Sequence, residues 1–215
     1  PTADTKEGLI DGFVIQNGRG DVSNTVTYER NYAGGLYHKT GKLAVTKNKF
    51  YKNAAISRGC MYIHANATLT LLRGNLFENN ESLTADISTI AVQSAQSGAT
   101  IEMNTFVNNK ATTNITCYFN TTGTSDIRYN TFVGNEVLTT GTTGYHIFVN
   151  GGKASFYNNT IMGNTTPGTA GSYAVQVNSG TFTYGNNLII GNKGGTGDIY
   201  VAGTYSNKGY NVMSL

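Results

Sequence analysis

The sequence predicts an all-β fold, a right-handed single-stranded parallel β-helix of about seven coils with three short strands in each. Three observations predict it: a hexapeptide that recurs along the chain, short runs that alternate apolar and polar residues, and apolar side chains that return at the same place in every repeat. A repeat period in the high twenties is typical of a solenoid. Right-handedness is expected because parallel crossover connections are almost always right-handed.

The repeated hexapeptide starts and ends with asparagine. Its six copies start at Asn48, Asn75, Asn104, Asn130, Asn159 and Asn187. A degenerate copy, Gly12–Asn17, precedes them, so the spacings between first residues are 36, 27, 29, 26, 29 and 28. Because the repeats fill nearly all of the 215 residues, we expect one domain over 1–215, as a mature product or a segment of a longer protein.

Each repeat contains three strand-like runs separated by turn residues. In the fifth repeat the runs are Tyr145–Val149, Lys153–Tyr157 and Thr160–Met162. Runs of this length with period-two alternation indicate strands, and no window has the period of a helix. The predicted coils begin at about Leu9, Gly35, Cys60, Thr89, Cys117, Tyr145 and Tyr173, and an incomplete eighth includes Asp198–Val201.

Alignment of the repeats predicts two apolar columns that point inward. The third position of the hexapeptide is Phe50, Phe77, Phe106, Phe132, Ile161 and Ile189, with Val14 in the degenerate copy. Three residues before the hexapeptide stand Val45, Leu72, Ile101, Ile127, Phe156 and Tyr184. Burial of each such side chain contributes roughly 1.5–3 kcal/mol.

The asparagines at both ends of the hexapeptide predict two structural ladders. Stacked Asn amides can hydrogen-bond from coil to coil, and Asn tolerates the left-handed backbone of sharp corners. A third, looser column is predicted at the end of the first strand, from Asn66, Asn120, Asn150 and Asn178.

The two cysteines, Cys60 and Cys117, are predicted to be free thiols with inward or half-buried side chains. They fall two coils apart, which is about 9.6 Å at a strand spacing of about 4.8 Å. A disulfide needs Cα atoms within about 7 Å.

Composition narrows the functional classes. Only 13% of residues are charged, the net charge is +3, and the basic residues do not cluster, so no nucleic-acid partner is expected. No apolar run approaches the roughly 20 residues of a membrane span. No nucleotide, cofactor or metal motif is present, so neither a cofactor nor a metal is expected.

Three interruptions of the repeat are predicted loops, namely Arg19–Tyr32, Glu81–Ser88 and Glu136–Gly144. Such loops often form the binding face of a solenoid. The first contains Arg19-Gly20-Asp21, a tripeptide of the kind that integrins bind.

The repeats also resemble a known family. Phe50–Asn53, Phe77–Asn80, Phe106–Asn109 and Phe132–Asn135 match the Phe-x-x-Asn tetrapeptide of chlamydial-type polymorphic membrane proteins. Gly34–Tyr37 resembles their Gly-Gly-Ala-Ile element, and Ile10–Gly18 and Gly209–Val212 resemble elements of other exported bacterial β-helix proteins. The resemblance implies a right-handed β-helix, an extracellular or outer-surface location and a role in adhesion.

The leading functional prediction is a non-enzymatic extracellular module that binds a glycan or a host or partner cell-surface protein. Its outward candidates for sugar stacking are Tyr51, Tyr118, Tyr129 and Tyr157. A second hypothesis is a carbohydrate-active enzyme, a polysaccharide lyase or glycoside hydrolase, since such enzymes share this pectate-lyase-like fold. A third is a structural subunit that assembles end to end through open solenoid ends.

If the chain is an enzyme, the candidate catalytic residues are Arg73, Glu102, Asp126 and Arg128. They are expected to meet on the outward face of the second strand, unless a bulge within Leu69–Leu72 shifts Arg73. A glycosidase needs two carboxylates about 5–9.5 Å apart. The competing interpretation is a surface ladder of alternating charges.

The three histidines, His38, His64 and His146, are predicted to be outward strand residues, with His38 and His64 close together. Two histidines without a third ligand make a poor zinc site.

Overall fold

A computed structural model gives the fold and describes residues 7–20, 32–83, 89–93, 98–112, 115–120, 123–138, 143–168 and 171–214. Every strand pair in these ranges is parallel, and the ranges contain no helix. Successive strands of one coil belong to different sheets, and the equivalent strands of neighbouring coils pair. The chain is therefore a parallel β-helix whose sheets run along a common axis.

The strands form three long sheets and one short one. The first sheet contains Leu36–His38, Met61–Ile63, Ile90–Val92, Ile115–Asn120, Tyr145–Asn150, Tyr173–Val177 and Gly197–Val201. The second contains Glu7–Asp11, Gly41–Thr46, Ala67–Arg73, Thr100–Glu102, Thr124–Arg128, Lys153–Tyr157, Thr181–Gly185 and Thr204–Asn207. The third contains Val14–Gln16, Lys49–Tyr51, Leu76–Glu78, Thr105–Val107, Thr131–Val133, Thr160–Met162, Leu188–Ile190 and Val212–Met213. The fourth contains Ala54–Ala55, Glu81–Ser82, Lys110–Ala111 and Glu136–Val137.

The predicted count of about seven coils is confirmed, with a correction at each end. The N-terminal coil contributes a second and a third strand, so Leu9 lies in the second sheet and does not begin a first strand. The coil predicted to be incomplete has all three strands, starting with Gly197–Val201. The fourth sheet was not predicted, because strands of two residues are too short to show alternation.

The two predicted apolar columns form the core. Phe50, Phe77, Phe106 and Phe132 are fully buried, and their rings stack at centroid distances of 4.8, 4.9 and 4.5 Å with planes within 7° of parallel. The column from Val45 to Tyr184 pairs from coil to coil in the predicted register and is also buried.

The degenerate hexapeptide was placed one residue too early. Ile15, not Val14, lies opposite Phe50, while Val14 lies opposite Lys49 and is 63% exposed. Asn17 was assigned to the ladder position of Asn53. Its φ of 57° instead matches the left-handed corner position of Lys52. Gly18 occupies the ladder position in this coil, and its backbone N–H donates to Asn53 Oδ1. The true first spacing is therefore 35 residues.

Both asparagine ladders are present and fully hydrogen-bonded in their interior. The Oδ1 of Asn109 accepts from the backbone N–H and Nδ2 of Asn80, at 3.0 and 2.9 Å. Its Nδ2 donates to Asn135 Oδ1 and to the carbonyl of Phe77, at 3.0 and 2.9 Å. Because buried amides are costly unless paired, this pattern explains how a row of polar side chains lines the corner of each coil.

Both cysteines are free and buried, as predicted. Burial raises the pKa of both thiols well above the ordinary value. Cys117 lies in the column of Met61 and Ile90, whereas Cys60 lies one residue earlier along its coil. Both thiols are therefore core side chains held in the protonated form.

Candidate functional site

The four candidate catalytic residues come together on the outward side of the second sheet. Arg73, Glu102 and Arg128 lie opposite one another on successive strands, and the predicted bulge leaves Thr70 unpaired without displacing Arg73. The Nε of Arg73 lies 3.3 Å from Glu102 Oε1, and the Nε of Arg128 lies 2.9 Å from Glu102 Oε2. A second Arg128 nitrogen lies 2.9 Å from Asp126 Oδ2.

The contacts within this charged cluster are those of a cross-strand ladder. Glu102 is buried, and each of its carboxylate oxygens faces an arginine. The hydrogen bond to Glu102 and the charge of Asp126 raise the pKa of Arg128. Beside the cluster, a shallow depression of about 480 Å³ is lined by Thr46, Lys47, Leu71, Arg73, Gly74 and Met103. The two carboxylates and two guanidinium groups neutralise one another, which stabilises neighbouring coils.

The first sheet carries a second group of side chains, an aromatic face on its outward side. One outward column runs through Tyr37, Tyr62, Ala91, Tyr118, Phe148, Gln176 and Tyr200. Tyr118 and Phe148 stack with centroids 5.6 Å apart and planes at 12°, and Tyr173 and Tyr200 stack at 5.0 Å. Tyr145 lies 5.4 Å from Phe148. We call Tyr118, Tyr145, Phe148, Tyr173 and Tyr200 the aromatic face; their rings are half-buried or exposed.

Toward the N-terminal end, the guanidinium group of an arginine covers the rings of this column. The guanidinium carbon of Arg58 lies 4.4 Å from the ring centroid of Tyr32 and 4.3 Å from that of Tyr62. Tyr62 also stacks on Tyr37 and donates its hydroxyl to Gln93 at 2.7 Å. Arg58 and Tyr62 are both buried, and burial is the main cause that raises the pKa of Tyr62. Because Tyr62 and Ala91 are buried, the half-buried Tyr37 is separated from the accessible rings that begin at Tyr118.

A column of amides flanks the aromatic face. Asn120 lies opposite Asn150, and Asn178 follows in the next coil. Asn178 Nδ2 donates to Asn150 Oδ1 at 3.1 Å, and Asn150 Nδ2 donates to Asn120 Oδ1 at 3.4 Å. The prediction for Asn66 was wrong, since Gln93 N donates to Ile63 O and His64 N to His38 O, which puts His64 in that position of its coil. We call Gln93, Asn120, Asn150 and Asn178 the amide column.

Comparison with known proteins decides the family. A family model described as a right-handed β-helix region matches residues 7–161, more than two thirds of the chain. The chain belongs to the right-handed β-helix family. Neither the curated proteins nor the solved structures contain a significant match.

Within this β-helix, the histidines do not form one site. His38 Nε2 lies 3.2 Å from the carbonyl of Gly41, and His64 Nδ1 accepts from the backbone N–H of Asn66 at 3.2 Å. The prediction that His146 points outward was wrong, because its side chain is buried. Two consecutive residues, His146 and Ile147, both point inward at the start of this strand. Burial lowers the pKa of His146 to about 3.

His146 lines a cavity of about 180 Å³ near the C-terminal end of the β-helix. Asp198 lies two coils further along the same column, and the small Ala174 between them leaves the space. Burial raises the pKa of Asp198, while hydrogen bonds from Ser214 oppose this shift. Within the described ranges, no group of three or more His, Cys, Asp or Glu residues is placed to hold a metal ion.

Several predicted features of the β-helix fall partly outside the described residues. In Arg19-Gly20-Asp21, Asp21 is outside them, as are residues 21–31, 84–88 and 139–142 of the three predicted loops. Of the other predicted sugar-stacking candidates, Tyr129 is 51% exposed, whereas Tyr51 and Tyr157 are half-buried and lie on other sheets. The described part of the chain contains no helix that meets the length and hydropathy of a membrane span.

Of the aromatic face, only Tyr118 was predicted from the sequence as an outward binding candidate. A usable signal was present, because the first strands place Tyr118, Phe148 and Tyr200 at one position of the repeat. Loops of variable length between each hexapeptide and the next first strand hide this register in the sequence.

Proposed function

We propose that this β-helix is a non-enzymatic extracellular module of a bacterial cell-surface or secreted protein, and that it binds a glycan along the aromatic face. The observation that carries the proposal is the arrangement of the first sheet, where the rings and the amide column lie side by side on successive coils.

The two columns complement the chemistry of a sugar chain. A pyranose ring has apolar C–H faces that pack on aromatic rings, and hydroxyl groups around its edge that need hydrogen-bond partners. Asn and Gln side chains each offer a carbonyl oxygen and an NH₂ group, so they can accept from and donate to hydroxyls. Partners of both kinds repeat at the coil spacing of about 4.8 Å.

The rigidity of the solenoid also favours binding of an extended polymer. Parallel strands fix the rings of Tyr118 and Phe148 at 5.6 Å before any ligand arrives. A surface that is already ordered loses little conformational entropy on binding. The proposed ligand is therefore a glycan segment of several residues that runs along the solenoid axis.

The proposed location is supported by the resemblance of the Phe-x-x-Asn repeats to chlamydial-type polymorphic membrane proteins. Protease treatment of intact cells that express the full-length protein, followed by detection of this segment, tests it. Cleavage or labelling without lysis is expected for an outer-surface module, and protection until lysis would contradict it.

Binding is tested with a glycan array, followed by calorimetry on any glycan that binds. We expect the wild-type chain to bind one class of glycan, and Tyr118→Leu and Phe148→Leu to weaken this binding at least tenfold by removing the rings. The matched control is Tyr157→Leu, because Tyr157 is a half-buried outward tyrosine on the second sheet. Circular dichroism confirms that each variant keeps its β content.

Two results would overturn the proposal. One is the absence of wild-type binding to every glycan on the array. The other is a loss of binding in Tyr157→Leu as large as the loss in Tyr118→Leu, which would place the ligand on another sheet.

A further inference from the structure

We propose that a depression on the second sheet is a binding site for a small monocarboxylate with an apolar body. The depression lies beside the charged cluster, and its volume of about 480 Å³ is within the range of small-molecule sites. Its lining belongs to three successive coils, none of them a terminal one. The inference does not rest on glycan binding, because the aromatic face lies on the first sheet.

The depression exists because one corner of the solenoid lacks a side chain. Gly74 occupies this corner with φ of 64°. Equivalent corners of other coils have φ of 54–57° and carry a side chain, namely Lys47, Met103, Tyr129, Asn158 and Asn186. The missing side chain leaves a gap between Lys47 and Met103. A Cβ atom at Gly74 would lie 3.8 Å from Lys47 Cγ, an ordinary van der Waals distance, so the gap has room for added atoms.

Two apolar side chains line the depression. After the bulge at Thr70, Leu71 points outward opposite Thr100, and it is half-buried. Met103 is 50% exposed. An apolar ligand body that covers both side chains removes their surface from water, and a thioether packs favourably against the edge of an aromatic ring. The apolar part of the ligand is therefore expected against Leu71 and Met103.

Two cations and no carboxylate line the same depression. The Arg73 side chain is 52% exposed, and its Nε lies 3.3 Å from Glu102 Oε1. The terminal nitrogens of its guanidinium group are further donors. Lys47 is exposed and forms no ion pair among the described residues. A ligand carboxylate would accept charge-assisted hydrogen bonds from both cations.

Neighbouring carboxylates restrict the charge of the ligand. Glu102 faces Arg73, and Asp11 accepts a hydrogen bond from the Thr46 hydroxyl. Neither carboxylate belongs to the lining. Lys47 is then the one cation of the lining that has no ion pair within the described part of the chain. A second negative charge on the ligand would lose hydration without gaining another unpaired cation, so a monocarboxylate is favoured.

Phenylacetate is the probe, and NMR of protein labelled at the methionine methyl groups gives a readout at the site. The chain has four methionines, of which Met103 lines the depression and Met61 is buried in the core. Titration is expected to shift the Met103 signal in a saturable way, in the millimolar range, and to leave the Met61 signal in place. Phenylacetamide has the same shape without the charge, and is expected to bind at least tenfold more weakly.

Two matched glycine variants test the shape of the site. Gly74→Asn fills the gap in a backbone conformation that Asn158 and Asn186 already hold at equivalent corners, and is expected to weaken phenylacetate binding at least tenfold. Gly163→Asn is the control, because Gly163 has φ of 62° at a corner of the third sheet where a Cβ atom would meet open space. This variant is expected to bind phenylacetate as the wild-type chain does.

Lys47→Gln tests the charge and keeps part of the side-chain stem. It is expected to weaken phenylacetate binding roughly three- to tenfold and to leave phenylacetamide binding unchanged. Lys153→Gln, at an exposed position of the same sheet in another coil, should change neither. The Met61 signal reports in each variant that the core is intact.

Three results would overturn the proposal. The first is a Met103 signal that does not move with phenylacetate. The second is equal binding of phenylacetate and phenylacetamide by the wild-type chain. The third is a loss of binding in Gly163→Asn as large as the loss in Gly74→Asn.

Discussion

Phe106 and Phe132 lie one coil apart with ring centroids 4.5 Å apart and ring planes 4° apart. Each ring covers the face of its neighbour, and the stack continues through Phe77 to Phe50. The strands that carry the two residues pair in register, which fixes the ring separation at the coil spacing. Equivalent positions of successive repeats therefore lie directly above one another.

Phe106→Ala is expected to lower the free energy of unfolding by about 3–5 kcal/mol. The substitution removes a fully buried ring and leaves a cavity between Phe77 and Phe132. Denaturant titration measures the loss. Val107→Ala, at the adjacent half-buried outward position, is the control and is expected to cost less than about 1.5 kcal/mol. Equal losses in the two variants would show that the ring stack adds nothing to stability.

Asn109→Ala is expected to cost about 2–5 kcal/mol, because it leaves the Asn80 amide and the carbonyl of Phe77 without their partners. Asn178→Ala, at the exposed end of the amide column, is expected to cost less than about 1 kcal/mol. Comparison of the two unfolding midpoints separates the buried ladder from the surface column. A cost below about 1 kcal/mol at Asn109 would contradict a stabilising ladder.

Glu102→Gln is expected to lower stability by about 1–3 kcal/mol. The change removes the negative charge between Arg73 and Arg128 at a buried position, and leaves two guanidinium groups facing each other. Glu78→Gln breaks the more exposed pair with Lys49, where the distance is 2.8 Å, and is expected to cost less than about 1 kcal/mol. If Glu102→Gln is neutral, the cluster is not a stabilising ladder.

His146 is expected to make the protein sensitive to acid. Its pKa of about 3 in the folded state lies below the ordinary value of 6.5, so between these values the unfolded chain binds a proton that the folded chain does not. The contribution of His146 is therefore complete above about pH 6.5 and is lost as the pH falls toward 3, by up to about 1.4 kcal/mol per pH unit.

His146→Gln removes this dependence, because glutamine does not titrate. Between pH 7 and pH 5, the variant is expected to lose about 2 kcal/mol less stability than the wild-type chain. Denaturant titrations of both proteins across this range measure the difference. Parallel loss in the two proteins would show that His146 takes up its proton in the folded state.

Most of the fold followed from the repeats because the same chemistry recurs at every coil. A phenylalanine at the third position, bounded by two asparagines, identifies one strand and its two corners without knowledge of any distant contact. The degenerate copy failed for the same reason: it has no asparagine at either ladder position, and Asn17 belongs to a corner that Lys52 also occupies.

The sequence predicted one part of the candidate site, the charged cluster, but not the aromatic face. The column of Arg73, Glu102 and Arg128 lies at a fixed distance before the hexapeptide, so sequence spacing was sufficient to align it. The aromatic face lies after loops of variable length, and its register depends on strand pairing. Burial of His146 depends on two consecutive inward residues at the start of its strand, which an alternating pattern does not show.

The sequence by itself determined the solenoid, its period, its inward columns and its asparagine ladders, because each follows from local spacing repeated coil after coil. The tertiary structure alone decided which outward side chains of the first sheet meet, namely the rings of the aromatic face. The physical reason is that loops of variable length precede the first strands, so pairing between strands, and not distance from the hexapeptide, fixes which of these rings are neighbours.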